Sequence, residues 1–181
     1  MVDVAPDTAG VLLDAAHAEV LAHGIRRTSA SDIARRAGVS RQTLYRYWPD
    51  ATALIAALVT RELLALVPET LDAAADLDEL VAELVDTAAR IRDLPLLDRL
   101  RDTDPELLAR YVFERWGTSQ LAVHARLSAT RAVARERGIV AAPDPAAAAA
   151  MLVLLLQPAV QSAPLVDPWR DDPARRRGLT R

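Results

Sequence analysis

The sequence predicts an all-α protein, with a three-helix unit at its N-terminal end and a longer helical region after it. Three observations carry this. Apolar residues recur at helical spacing in segment after segment, no stretch shows the period of two that a half-buried strand requires, and capping and stopping residues punctuate the chain where those segments end. The clearest punctuation lies between Thr28 and Pro49, TSASDIARRAGVSRQTLYRYWP, where two helices are joined by a turn of three residues.

Taken in order, Asp7 or Thr8 opens a first helix that runs to His23 and closes at Gly24, with Leu12, Leu13, Ala16 and Val20 as its buried stripe. Ser29 caps a second helix to about Ala37, Gly38 supplies the left-handed residue that ends it, and Ser40 caps a third that starts at Arg41. Ile33, Ala34, Ala37, Val39 and Leu44 are the apolar or small positions of this pair. Their spacing lets the two helices cross closely and leaves Arg35, Arg36, Arg41, Gln42, Thr43, Tyr45, Arg46 and Tyr47 facing outward. Asp50 caps a fourth helix from Ala51 to about Val67, stopped by Pro68, with Leu54, Ile55, Leu58 and Val59 on its apolar side.

Leu77, Leu80, Val81, Leu84, Val85, Ala88 and Ile91 trace a fifth helix to about Asp93, and Pro95 opens a short sixth. Asp104 and Pro105 form a cap-then-proline opening for a helix reaching Arg137, with Gly117 as a break and Gly138 closing it. Ile139 and Val140 are too short a pair for a strand and are left in a loop. Asp144 and Pro145 open the last helix, PAAAAAMLVLLLQPAVQSA, which carries no charge and is expected to end at Ala163, with loop or one turn of helix after Pro164 and then disorder. It is long enough to span a membrane. Its alanine-rich first half, Gln157, Pro158 and the lack of basic or aromatic flanks argue instead for a helix buried on several sides, in a core and against a second subunit.

Composition narrows the chemistry. The 181 residues suffice for one substantial core or two small ones. There is no cysteine, and the three histidines, 17, 23 and 124, are widely spaced with no Ser-centred, Gly-rich or metal-spaced motif beside them. An enzyme, a cofactor and a metal site are therefore not expected. The N-terminus lacks the basic start of a signal peptide, so a cytoplasmic protein is expected.

Charge points to a partner. From Gly24 to Pro49 there are six arginines and one acid, a local +5 in a chain whose net charge is −3. A basic patch on an otherwise acidic protein is the footprint of a specific DNA reader, because only the docking face must displace counterions from phosphates. On the third helix Arg41, Gln42 and Thr43 occupy the first turn, where a recognition helix in the major groove meets base edges. Arg suits guanine, Gln suits adenine, and Thr can donate, accept or touch a thymine methyl. Tyr45, Arg46 and Tyr47 suit phosphate oxygens, as do the hydroxyls of Thr28, Ser29 and Ser40 at the helix starts.

The run T-S-x-x-D-I-A-R-R-A-G-V-S-R-Q-T-L-Y-R-Y-W-P-D resembles the N-terminal signature of the TetR (tetracycline-repressor-like) family of bacterial transcriptional regulators, over about Leu12 to Leu58. Trp48 stands where that family usually has Phe, and Ala51 where a phosphate-touching Lys is common. The resemblance implies a DNA-binding domain over 1–49 and a helical effector-binding and dimerisation domain over 50–181. It further implies a homodimer on a palindromic double-stranded DNA operator, released by a small-molecule effector, with the fourth helix as the lever. Aromatic and polar residues able to line an effector cavity are Tyr111, Phe113, Trp116, Gln120, His124, Met151 and Gln157.

Overall fold

The computed structural model describes residues 7–68, 76–106, 117–141 and 144–170, and among these every regular element is helical. The chain divides into two compact units: Met1–Pro68 with Asp93–Val123, and Glu69–Arg92 with His124–Arg181.

The first unit is organised around α1 (Thr8–His23), which packs on α2 (Ala30–Arg36), α4 (Ala51–Leu66) and α6 (Pro95–Thr103), while α3 (Arg41–Tyr47) packs on α2. Its core is Leu12, Ala16 and Val20 of α1, Ile33 and Ala34 of α2, Leu44 of α3, Leu54, Leu58 and Val59 of α4, and Leu96, Leu97 and Leu100 of α6. Alanines at 15, 16 and 34 let the helix axes approach. The three caps form as expected, since Ser29, Ser40 and Asp50 accept from the backbone N–H of Asp32, Thr43 and Ala53. On the surface, Arg61 of α4 reaches Asp14 of α1 at 2.7 Å. Thr60 pairs with the fully buried Ser119 near the start of α7 (Thr118–Glu136) at 2.7 Å.

Two features of α1 differ from the expected stripe. Leu13 is only half-buried, and Glu19 is buried in line with Leu12, Ala16 and Val20. The carboxylate is tolerated because Arg36 of α2 meets it, as described below. At the end of α1 a 3-10 turn, Ile25–Arg27, follows Gly24. Gly24 holds φ 77° and ψ 163°, a region open almost only to glycine, and a Cβ there would lie 2.9 Å from Thr103 Cγ2 of α6. Replacing Gly24 with Ala is expected to cost about 1–3 kcal/mol from the backbone alone, with the Thr103 contact adding to it. The check is thermal melting, where a chain of this size loses roughly 2–4 °C per kcal/mol.

The second unit contains α5 (Leu77–Arg92), α7 from His124 onward, and α8 (Pro145–Arg170), with α5 packed on α8. Leu80 and Ala134 form its buried centre, joined by Leu84, Ile139 and Val140. The last two are loop residues, as expected, and they close the end of α7. Gly138 turns at φ 75°, Ile139 N–H bonds back to the Ala134 carbonyl at 2.9 Å, and the apolar pair drops onto Leu80. Asp144 caps α8 through the N–H groups of Ala146 and Ala147.

The structure adds a feature of α5 and corrects one expectation for α8. The apolar arc of α5 is wider than the face it buries: Leu77, Val81 and Val85, one turn apart from each other, stay exposed. α8 runs past Ala163 to Arg170, through Pro158, Pro164 and Pro168. Proline already has a helical φ and lacks only the backbone N–H, so a helix can pass through such positions.

Candidate nucleic-acid interface

The interface is built on α2 and α3. Gly38 turns at φ 69°, Val39 N–H bonds to the Ala34 carbonyl at 3.0 Å, and Ser40 in extended conformation starts α3. Leu44 is the one buried side chain of α3, and it fixes which residues face out. Arg41, Gln42, Tyr45, Arg46 and Tyr47 are exposed, and Thr43 is half-buried. The fold thus presents the proposed base readers and the proposed phosphate contacts of α3 together on one short helix.

Several of these groups are already held. Ser40 Oγ accepts from Thr43 N–H at 3.1 Å and lies 2.9 Å from Thr43 Oγ1. One of the two hydroxyl protons sits between these oxygens, which leaves one to be donated outward. Ser29 Oγ accepts from Asp32 N–H and donates to the Asp32 carboxylate at 2.5 Å, a capping box that leaves the Ser29 oxygen as an acceptor only. Thr28 donates to the Gly24 carbonyl at 2.8 Å. The hydrogen bond from Ser29 and the adjacent Arg35 guanidinium, at 2.6 Å, hold the Asp32 carboxyl below the usual carboxylate range. The guanidinium carbons of Arg41 and Arg46 lie 5.8 Å and 5.5 Å from the ring centres of Tyr45 and Tyr47, and the Tyr47 ring lies 5.7 Å from Trp48.

The arginine count needs a correction. Arg36 is exposed as expected, but its charge is not free: it gives its Nε–H to buried Glu19 at 2.7 Å, and His23 stands 3.6 Å from the same carboxylate. Arg35 is paired with Asp32, and Arg26 reaches Asp104 at 3.3 Å and Glu106 at 3.6 Å. Arg27, Arg41 and Arg46 have no ion pair among the described residues. A window along the sequence shows the six arginines but not the acids of α1 and of the α6 end that fold against them. The sequence signal that could have found Glu19 is its place in register with Leu12, Ala16 and Val20.

A polar cleft of about 490 Å³ lies beside the interface, lined by Glu19, His23, Arg27, Asp32, Arg35 and Arg36. Among the described residues, none of the expected effector residues borders it. Of those, Tyr111, Phe113 and Trp116 lie outside the described residues. Gln120 belongs to the first unit, where it is buried and its Oε1 accepts from Gly117 N–H at 2.9 Å, capping the start of α7. His124, in the second unit, lies 3.0 Å from the Ala146 carbonyl and 3.4 Å from Ser128 Oγ, joining α7 to the start of α8. Met151 lies on the exposed side of α8 and Gln157 is half-buried.

Helix, glycine turn and exposed basic-aromatic helix define a helix-turn-helix DNA-binding protein. Residues 12–58, which span most of α1 through the middle of α4, match the family model described as bacterial regulatory proteins, tetR family. The uncharacterized HTH-type transcriptional regulator Mb2274c of Mycobacterium bovis is 37% identical over 174 residues, 96% of this chain and 91% of that protein. SmeT, the repressor of the Stenotrophomonas maltophilia multidrug efflux pump SmeDEF, shares the fold with a TM-score of 0.56 at 25% identity, covering 97% of this chain and 86% of its own. SmeT has also been solved as a triclosan complex. FadR, a fatty acid degradation regulator from Bacillus halodurans, has a TM-score of 0.59 at 21% identity over 90% of this chain and 87% of its own, a likeness of fold alone. The chain belongs to the tetR family of bacterial transcriptional regulators, and it is a DNA-binding regulator rather than an enzyme.

Proposed function

We propose that this regulator is a cytoplasmic repressor that binds a palindromic operator as a homodimer and leaves it when a small molecule binds. The observation that carries the DNA half is α3: a helix seated by one buried leucine, with Arg41, Gln42, Tyr45, Arg46 and Tyr47 all exposed. Residues 1–49 form the DNA-binding domain in this reading, with Arg41, Gln42 and Thr43 on base edges. Thr28, Ser29, Ser40, Tyr45, Arg46 and Tyr47 contact phosphates. The geometry limits four of the hydroxyls: Thr28 and Ser29 have given their protons to the Gly24 carbonyl and the Asp32 carboxylate and can donate to a phosphate only when those bonds open, and Ser40 and Thr43 have one outward proton between them.

Residues 50–181 form the effector and dimer domain. The apolar surface of α8 supplies the subunit face, and two recognition helices then stand about one DNA turn, ~34 Å, or a multiple apart. SmeT binds triclosan, which supports a small-molecule effector here too. Such an effector acts by fitting one spacing of the recognition helices better than the other.

Gel shifts against genomic fragments test the reading, and selection from random duplexes then gives the operator. On that operator, Arg46→Ala is expected to weaken binding evenly across sequences and to lower the salt slope by about one. Gln42→Ala is expected to relax one position of each half-site, removing ~1–3 kcal/mol of discrimination. An Arg46→Ala protein with altered base preference, or a Gln42→Ala protein with an unchanged consensus, would show that the two roles are assigned to the wrong residues.

A further inference from the structure

This inference rests on the reading of α3 as a recognition helix, and it concerns what aims its first base reader. The three readers are held differently. Thr43 shares its hydroxyl with Ser40, the Gln42 side chain makes no hydrogen bond among the described residues, and Arg41 has its guanidinium carbon 5.8 Å from the centre of the Tyr45 ring, one turn along the same face. Arg41 is exposed and has no ion pair among the described residues, so the Tyr45 ring is the contact that restrains its head.

We propose that Tyr45 is a positioning residue for base selection. Its ring holds Arg41 in the orientation from which the guanidinium meets a guanine edge, while its hydroxyl separately takes a phosphate. The distinction follows from what each target demands. Guanine recognition is bidentate and needs the planar fork aligned with two acceptors, whereas a phosphate attracts the same charge from many directions. An unrestrained arginine at the start of α3 therefore drifts toward the nearest phosphate, keeping its electrostatic contribution and losing its sequence information. Resting the guanidinium on a flat π-face removes much of that freedom before DNA arrives. Arg46 over Tyr47 provides the contrast. That pair is formed by neighbours in sequence, and Arg46 is assigned to a phosphate, so removing the Tyr47 ring has no base preference to change.

The test is selection from a duplex library randomised over both half-sites, with salt dependence measured on the selected duplex. It uses the wild type, Arg41→Ala, Tyr45→Phe, Tyr45→Leu and Tyr45→Trp. Arg41→Ala is expected to erase preference at one base pair per half-site. Tyr45→Leu is expected to reduce that same preference about two- to fivefold, the range set by an exposed cation–π contact, with the salt slope unchanged because no charge is lost. Tyr45→Phe keeps the preference and weakens binding to all sequences, and Tyr45→Trp, which restores a ring, restores the preference. In an Arg41→Ala background, Tyr45→Leu causes no further loss of selectivity. A Tyr45→Leu protein with full preference, or a Tyr45→Phe protein that loses as much as Tyr45→Leu, overturns this inference and leaves the recognition-helix reading standing. An Arg41→Ala protein with unchanged preference overturns the assignment of Arg41 to a base and the inference with it.

Discussion

Replacing Leu44 with Ala is expected to abolish DNA binding although the side chain touches no DNA. Leu44 is fully buried, and α3, at seven residues, has no other buried side chain. Isolated helices shorter than about 12–15 residues are marginal in water, so α3 owes its order to this contact and to the Ser40 cap. A buried leucine cut to alanine loses its transfer free energy and leaves a cavity, together about 2–5 kcal/mol. Against a net stability on the order of 5–15 kcal/mol for a domain, that is a large share. The seven residues of α3 also carry most of the proposed DNA contacts, so even a locally confined loss removes the interface. Hydrogen exchange is the direct measurement, since the α3 amides should lose protection together. A Leu44→Ala protein that melts like the wild type, keeps α3 protected and binds its operator would show that something other than this packing orders the helix.

How much of this was legible in the sequence depends on the range of the interaction that decides each feature. The ends of α1, α2, α3 and α4 are set by residues within one turn of themselves, and Ser29, Gly38, Ser40 and Asp50 all act as their residue types predict. Contacts between distant segments were not legible. Glu19 and Arg36 are seventeen residues apart, and Arg26 and Asp104 seventy-eight, so nothing local distinguishes these arginines from Arg41 or Arg46. The same limit applies to side chains chosen by type for an effector cavity. Gln120 was chosen as a polar residue able to line a cavity, and its residue type gives no sign that its amide oxygen caps the helix that carries it. Prolines mark where a helix can stop and not where it must, which is why α8 continues beyond Pro158 and Pro164.

Leu155→Arg is expected to separate dimerisation from folding of the recognition helix. On α8, Met151, Leu154 and Leu155 are 57%, 54% and 64% exposed, while Ala149, Val153 and Val160 on the same helix are buried. The helix thus has one covered side and one bare apolar side. It carries no charge from Pro145 to Ala163 that would make the bare side a solvated face. Apolar surface of this kind is what an isologous subunit face requires, and on the two-fold operator proposed above α8 and part of α7 would meet their copies in a four-helix arrangement. Arginine at the centre of that face would place a charge with no partner in a closing apolar contact, a cost on the order of several kcal/mol per buried charge that each dimer meets twice because the two-fold axis repeats it. In the monomer Leu155 is already exposed, so the fold itself should lose little. Sedimentation should show a dimer for the wild type and a monomer for the variant at micromolar concentration, and operator affinity should collapse because a single half-site contact is left. Hydrogen exchange on α3 should meanwhile match the wild type. A wild-type protein that sediments as a monomer, or a Leu155→Arg protein that stays dimeric and binds its operator normally, would place the subunit face elsewhere.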